Sequence, residues 1–424
     1  MKKQSLFVLI GIILAGVMPV FADDLWDVVD AAQRVIEKKY PLEGSIARKM
    51  ALKELEAIAG SDKTDEQKIN EIRKRYSYTS SAINSGTEES VVHNDTLDSY
   101  LLPKDITISG DDFESLLHDA KQGNPRAQWL LGQCYYSGQN VKQNFLEAEK
   151  WFRKAAEQGD EAGQTSLGFC YLFGEGVKQD FTDAAKWFRL AAEQGGSVSQ
   201  ILLANCYAQG EGVKQDQEEA AKWYLKAAEQ DEVYAQIQMG FRYSSGNGVK
   251  LDHKKAVKWF RKAAEQGDPV AQNALAYCYY RGNGVKQNYE EAAKWLRKAA
   301  EQDDVDAQYL LGSLYYDDDN IKRDYSEAVK WFRKAAEQGD ERAELELANC
   351  YQKGLGTKQN FAEAVKWYRL SAEKGNDEAQ FLLGECYNFG KGVKQNKSEA
   401  IKWYRKSADQ GNTTAKGALV GLGY

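Results

Sequence analysis

"AEKWFRKAAEQGD" runs from Ala148 to Asp160, and "AAKWFRLAAEQGG" follows it 36 residues later. The tryptophan returns at Trp151, Trp187, Trp223, Trp259, Trp295, Trp331, Trp367 and Trp403, always 36 residues apart, without insertion or deletion. A fixed period of this size marks a solenoid. One such unit is too small to bury its own apolar face and must stack on its neighbours. The spacing predicts eight units from Asn124 to Gly411, with partial units at both ends.

Within a unit the pattern is helix, turn, helix. In the second unit, Leu167, Cys170 and Tyr171 place an apolar face on a helix A over residues 161–173. "GEGVKQD", Gly174 to Asp180, is the turn. Ala184, Trp187, Phe188, Ala191 and Ala192 then follow i, i+3, i+4, i+7, i+8 spacing and predict a helix B from Phe181 to about Gln194. The two turn glycines suit positive φ, and Asn140, Asp318 and Asn320, which replace them, are the side chains that best tolerate it. The residue before helix B is always Asn or Asp, as an N-cap requires, from Asn144 to Asn396. Three residues on stands an acid in most units (Glu147, Glu219, Glu291), with Lys255 an exception, which predicts a capping-box variant. Helix B stops at a glycine such as Gly159, Gly195 or Gly267.

This spaced pattern, "AQxxLGxxYxxGxGVxxDxxxAxxWxxKAAxQG", resembles the Sel-one-like repeat family, a relative of the tetratricopeptide repeats, over residues 111–424. The resemblance implies a right-handed α/α superhelical solenoid with a concave face. It also implies a scaffold or adaptor for other proteins, in bacteria often exported. The fold class is therefore all-α, with eight helix-turn-helix repeats between capping half-repeats. "DDFESLLHDAKQGN", Asp111 to Asn124, reads as a helix B without its tryptophan, and "NTTAKGALVGLGY" after Gly411 as a last helix A.

Before the repeats the chain changes character. Lys2 and Lys3, the uncharged run Leu6 to Val17, and Val20 and Ala22 at the −3 and −1 positions form a secretory signal over residues 1–22, with cleavage expected between Ala22 and Asp23. The chain is then expected to be periplasmic or secreted, with no membrane insertion after cleavage. Residues 23–76 hold amphipathic stretches such as Leu25, Val28, Val29, Ala32, Val35 and Ile36 and read as a small helical module. Residues 77–110, rich in Ser, Thr, Asn and Asp, read as a linker, within which "LDSYLLP", Leu97 to Pro103, is apolar enough to dock.

Composition and charge exclude several functions. Hydrophobic residues make up 43%, charged residues 28%, and there are five prolines, which excludes collagen-like and strongly disordered classes. The net charge of −7 gives no basic footprint for nucleic acid and disfavours anionic membrane surfaces. Cys134, Cys170, Cys206, Cys278, Cys350 and Cys386 share one column of the repeat. Neighbouring helices pack about 8–10 Å apart, beyond the reach of a disulfide between equivalent positions. Cysteine-rich members of the resembled family bridge helix B to the next helix A, but Ala156 and Gln164 stand there in this chain. Six free, buried thiols are expected, and no metal site.

No catalytic constellation emerges, and no enzyme activity or cofactor is expected. His93, His118 and His253 are scattered. "SAEK", Ser371 to Lys374, has the Ser-x-x-Lys spacing but no Ser-Asp-Asn or Lys-Thr-Gly string beside it, so Ser371 reads as a small core residue. "YDDDN", Tyr316 to Asn320, lacks the glycine and the twelfth-position glutamate of a calcium loop. The tryptophans read as core knobs, each preceded by a lysine that snorkels to solvent.

Binding is expected on helix A. Ala127, Leu131, Cys134 and Tyr135 barely vary between units, whereas the columns of Arg126, Trp129, Leu130, Gln133 and Tyr136 vary and lie on a neighbouring face. One variable column reads Gln133, Phe169, Asn205, Phe241, Tyr277, Ser313, Asn349 and Glu385, with Tyr136, Tyr280 and Tyr316 beside it. This strip of aromatics and amides suits an extended peptide or a partner helix. The leading expectation is an exported, non-enzymatic scaffold with a protein or peptide partner. The alternative is an envelope protein that binds or modifies peptidoglycan.

Overall fold

The computed structural model describes residues 110–424 apart from 318–320. The signal segment, the N-terminal module, the linker up to residue 109, His93 and the Asp318–Asn320 part of the acidic turn lie outside the described residues. Among the described residues there are 18 helices and no strand. The B-type helices are α1 (Gly110–Lys121), α3 (Phe145–Glu157), α5 (Phe181–Glu193), α7 (Gln217–Glu229), α9 (His253–Glu265), α11 (Tyr289–Glu301), α13 (Tyr325–Glu337), α15 (Phe361–Glu373) and α17 (Lys397–Asp409). The A-type helices are α2 (Pro125–Ser137), α4 (Glu161–Phe173), α6 (Ser197–Gln209), α8 (Val233–Ser245), α10 (Pro269–Arg281), α12 (Val305–Asp317), α14 (Glu341–Lys353), α16 (Asp377–Phe389) and α18 (Thr413–Gly421). They fall into two compact units that divide between Ala263 and Ala264, inside α9. In each unit consecutive helix pairs pack as a solenoid.

The helix ends follow the capping chemistry of the sequence. Asn144 Oδ1 accepts from the Leu146 and Glu147 amides at 3.1 and 3.2 Å, and Asp216 does the same for Glu218 and Glu219. The expected capping box is not formed. The cap amide of Asn144 instead donates to the Tyr135 carbonyl at 2.8 Å, and Glu147 turns outward to Lys150 Nζ at 2.7 Å. Every described helix B N-cap from Asn144 to Asn396 ties its amide to the preceding helix A in this way, so the turn leaves no orphan amide for the glutamate to satisfy. Helix B ends in a left-handed residue, Gly159 at φ 87° and Gly195 at φ 104°. Asp231 and Asp303 adopt it where glycine is missing, as Asn140 does in the turn.

The second turn glycine has a further reason to be small. A Cβ on Gly212 would lie 1.9 Å from the Phe181 carbonyl oxygen, because each turn closes onto the start of the preceding helix B. Within a repeat, a Cβ on Gly132 or Gly168 would meet the ring of Phe152 or Phe188 at 2.5 Å. Helices A and B therefore approach closely at the ring of the residue after the tryptophan.

Two polar ladders join the helices. Gln158 Nε2 donates to Gln128 Oε1 at 2.7 Å, and Gln128 Nε2 donates to the Ala120 carbonyl at 3.1 Å. Three helices are thus linked, and the Ala120 carbonyl, which also accepts from the Gly123 amide at 3.2 Å, gains a second donor. The rung recurs at Gln194–Gln164, Gln230–Gln200, Gln302–Gln272, Gln338–Gln308 and Gln410–Gln380. On the other side, Arg153, Arg189, Arg297, Arg333 and Arg369 each donate to the tyrosine hydroxyl of the next helix A, from Tyr171 to Tyr387.

Five of the eight repeat tryptophans take core positions, Trp331 being 2% exposed and Trp223 6%, whereas Trp151, Trp187 and Trp403 are half-buried, so the expectation of core knobs holds for the middle of the array and not for its ends. The lysine three residues on covers the indole: Lys154, Lys226 and Lys298 lie 3.8, 3.7 and 3.9 Å from the ring centroids. The lysine before the tryptophan reaches solvent and pairs with the acid at i−3, as in Lys186–Asp183 at 2.8 Å. The terminal half-repeats are as expected. Leu116 and Ala120 of α1 bury against Ala127, Leu131 and Cys134 of α2, and Gly123 ends α1 at φ 96° as glycines end the other B helices.

Candidate functional site

The variable columns of helix A have internal work that the sequence did not reveal. Consecutive A helices meet through them: Trp129 Nε1 donates to Ser166 Oγ at 3.0 Å, Thr165 Oγ1 lies 2.6 Å from Ser199 Oγ, and Arg342 pairs with Asp306 at 2.5 Å. These three junctions are individually matched, so part of the variation along these columns tracks the neighbouring repeat. Ile201, Leu202, Ile237 and Gln238 are buried on this face, whereas the sequence reading left such columns free for a ligand.

The Gln133 column is matched inside its own repeat, to the helix B residue 19 positions on. Where that residue is tyrosine, the column supplies an acceptor: Tyr224 donates to Asn205, Tyr368 to Asn349 at 2.7 Å, and Tyr404 to Glu385. Where it is phenylalanine, an aromatic can stand against it: Phe169 meets Phe188 edge-on at 5.5 Å, and Phe241 meets Phe260 at 5.0 Å. Phe169 is 3% exposed and is a core residue. Tyr136, 7% exposed, packs on Phe145 and donates to Glu175 at 2.7 Å. Gln133 Nε2 reaches Ser166 at 3.4 Å, and Ser313 Oγ donates to the Tyr309 carbonyl at 3.0 Å. Tyr280 and Tyr316 are half-buried against Tyr289 and Tyr325.

Tyr277 is the exception. Its partner 19 residues on is Leu296, which offers neither hydroxyl nor ring, and Tyr277 stays 49% exposed. Arg281, also exposed, lies over both Tyr277 and Tyr280, 5.6 and 5.7 Å from their centroids. On α12 the same face carries exposed Leu310. Arg281 and Leu310 were not singled out from sequence; the column of Arg281 also holds Ser137, Phe173, Gln209, Asp317 and Lys353, so its residue type alone gave no signal.

The remaining chemistry-bearing residues are structural. Ser371 is fully buried and donates to the Glu341 carbonyl at 2.8 Å. Lys374 turns away to Glu344 at 2.6 Å and to the Gly339 carbonyl at 2.9 Å. It replaces one glutamine rung by an ion pair. All six cysteines are free and buried. Burial pushes the Cys206 and Cys350 thiols up to about 12 and Cys386 to about 11. Among the described residues no His, Cys, Asp and Glu group is arranged to hold a metal, and no helix is long and apolar enough to cross a membrane.

The description "Sel1 repeat" fits residues 125–160, 162–196, 197–232, 233–268, 269–304, 305–340, 342–376 and 377–412, so all eight units match one family. The chain belongs to the Sel1 repeat family. It is similar to a Sel1 repeat protein from Oxalobacter formigenes, at 32% identity and TM-score 0.60, over 80% of this chain and 96% of that one. It is also similar to c5321, described as a protective antigen of uropathogenic Escherichia coli with this fold, at 28% identity and TM-score 0.50, over 91% and 89% of the two chains. No curated protein sequence matches it. Sel1 repeat proteins commonly mediate protein–protein interaction, and their solenoid typically serves as a non-catalytic scaffold.

Proposed function

We propose that the protein is an exported, non-enzymatic scaffold that binds a protein or peptide through helix A faces, centred on α10 and α12. The observation that carries this reading is exposed Tyr277 and Arg281, set beside half-buried Tyr280, with exposed Leu310 on the same face of α12. Tyrosine and arginine are among the side chains that most often anchor interfaces, and Leu296, 19 residues on, offers Tyr277 neither a hydroxyl nor a ring. The other columns of the strip are matched inside the protein. The signal-like residues 1–22 support export, and the net charge of −7 supports a partner other than nucleic acid.

The test is capture from an extract of the native envelope with the parent, with Tyr277→Ala/Arg281→Ala, and with a distant surface variant, Lys186→Ala. Proteins lost only with the double variant, at unchanged helicity and Tm, support the face. A capture profile identical for all three baits removes it. N-terminal sequencing of the protein from native cells should read Asp23 first; an intact Met1 in the cytoplasmic fraction removes export.

A further inference from the structure

The net charge of −7 conceals one strongly basic helix. Helix α9, "HKKAVKWFRKAAE", carries Lys254, Lys255, Lys258, Arg261 and Lys262 and one carboxylate, Glu265. All the other B helices of the eight repeats hold an acid in the first turn; α9 holds none. Lysines at the start of a helix oppose its dipole, and Lys255 stands where the acid of other repeats pairs with the lysine before the tryptophan. Such a local conflict is expected where function requires it.

Two further substitutions meet at the same place. Leu225 occupies the column of Arg153 and Arg189, so no arginine extends to Tyr243; Lys255 lies over that ring instead, at 5.1 Å. Leu251 replaces the glutamine that elsewhere latches the turn, as Gln143 does to the Tyr136 carbonyl at 2.8 Å. Leu251 is 53% exposed. Together they leave a notch of about 360 Å³ lined by Tyr243, Val249, Lys250, Leu251, Asp252 and Lys255. Lys255 replaces the missing arginine over the tyrosine, but Lys254 and Lys258 lie outside that exchange. Asp252 is engaged as the N-cap, accepting from the Lys255 amide at 3.0 Å.

We propose that this notch and the first turns of α9 dock an acidic peptide segment of a partner protein, carboxylates on Lys250, Lys254, Lys255 and Lys258, and an apolar side chain against Val249 and Leu251. The apolar floor favours a peptide over a bare phosphate. A nucleic acid backbone calls for a basic stripe longer than one helix, and carboxylates interrupt this one, Asp252 at its start and Asp231 3.3 Å from Lys262 Nζ. The site is separate from the Tyr277 face and stands or falls independently of it.

The test uses the full chain and a fluorescein-labelled decapeptide of glutamate and aspartate around a central leucine. Its counterpart has glutamine and asparagine instead. The variant is Leu225→Arg/Leu251→Gln/Lys255→Glu, which restores the residues of neighbouring repeats and so is expected to fold at least as well as the parent. The expected result is binding of the acidic peptide at least tenfold tighter than the amide peptide, lost at least tenfold in the variant and weakened by salt. Equal affinity for the two peptides, or an unchanged affinity in the variant, overturns the proposal. So does competition by poly-uridylate or phosphatidylglycerol vesicles at lower concentration than the unlabelled peptide.

Discussion

At the scale of single residues, backbone conformation and close approach separate glycines that look alike in sequence. Gly159 and Gly212 both have positive φ, but only Gly212 faces a carbonyl oxygen at 1.9 Å from an added Cβ. Gly159→Ala should cost about 1–2 kcal/mol, the strain of the left-handed region alone. Gly212→Ala should cost more than about 3 kcal/mol, since strain and a backbone clash add. Chemical denaturation of the two variants checks the order. Asp304 makes a pH prediction. Burial raises its carboxyl from 3.8 to about 6, although the Ala307 amide donates to it at 2.7 Å. A folded state that holds the proton more tightly is favoured below the unfolded value, and that advantage is lost as pH rises through about 6. Asn occupies the same column at Asn124, Asn376 and Asn412, so Asp304→Asn keeps the cap. Between pH 4 and pH 7 the parent should lose Tm relative to this variant; parallel profiles would refute the assignment.

At the scale of helix pairs, the ladders are the units that can be exchanged. The seventh repeat replaces a glutamine rung by Lys374–Glu344, with Glu344 2% exposed in its side chain. Removing one partner, as in Lys374→Ala, leaves a buried carboxylate without its donor and should cost about 1.5–3 kcal/mol. Restoring the amides together, Glu344→Gln/Lys374→Gln, should fall within about 1 kcal/mol of the parent, since a buried ion pair adds little over a well-matched neutral pair. A double-mutant cycle measures the coupling. Phe169→Ala belongs to this scale too. Its ring packs on Phe188, so it should lose about 3–5 kcal/mol of stability rather than report on binding. Phe169 therefore cannot serve as a probe of partner capture, whereas Tyr277 can.

At the scale of the whole chain, stability is distributed along the repeats. The thiols report it, with Cys134, Cys170 and Cys206 in one compact unit and Cys278, Cys350 and Cys386 in the other. Native protein should label slowly at all six. In mild denaturant, labelling followed by mass spectrometry should appear in neighbouring groups, because each helix pair is held by the next. Rapid native labelling of several thiols would contradict their burial.

Much of the fold was legible because a helix pair of fixed length leaves the same turn, cap and core chemistry at the same interval. Asn144 and its equivalents, the glycines ending helix B, and the cysteine column could each be placed from spacing alone, since they answer to local backbone geometry or to a periodic core. The reach of Glu147, the burial of Phe169 and the exposure of Tyr277 could not. Each depends on which atom of another helix arrives within a few ångströms. The sequence by itself determined the repeat, its two helices and the buried thiols; only the tertiary structure decided which variable residues are spent on matching a neighbour and which are left for a guest. Contact across helices is set by three-dimensional distance, and a periodic string records position along the chain alone.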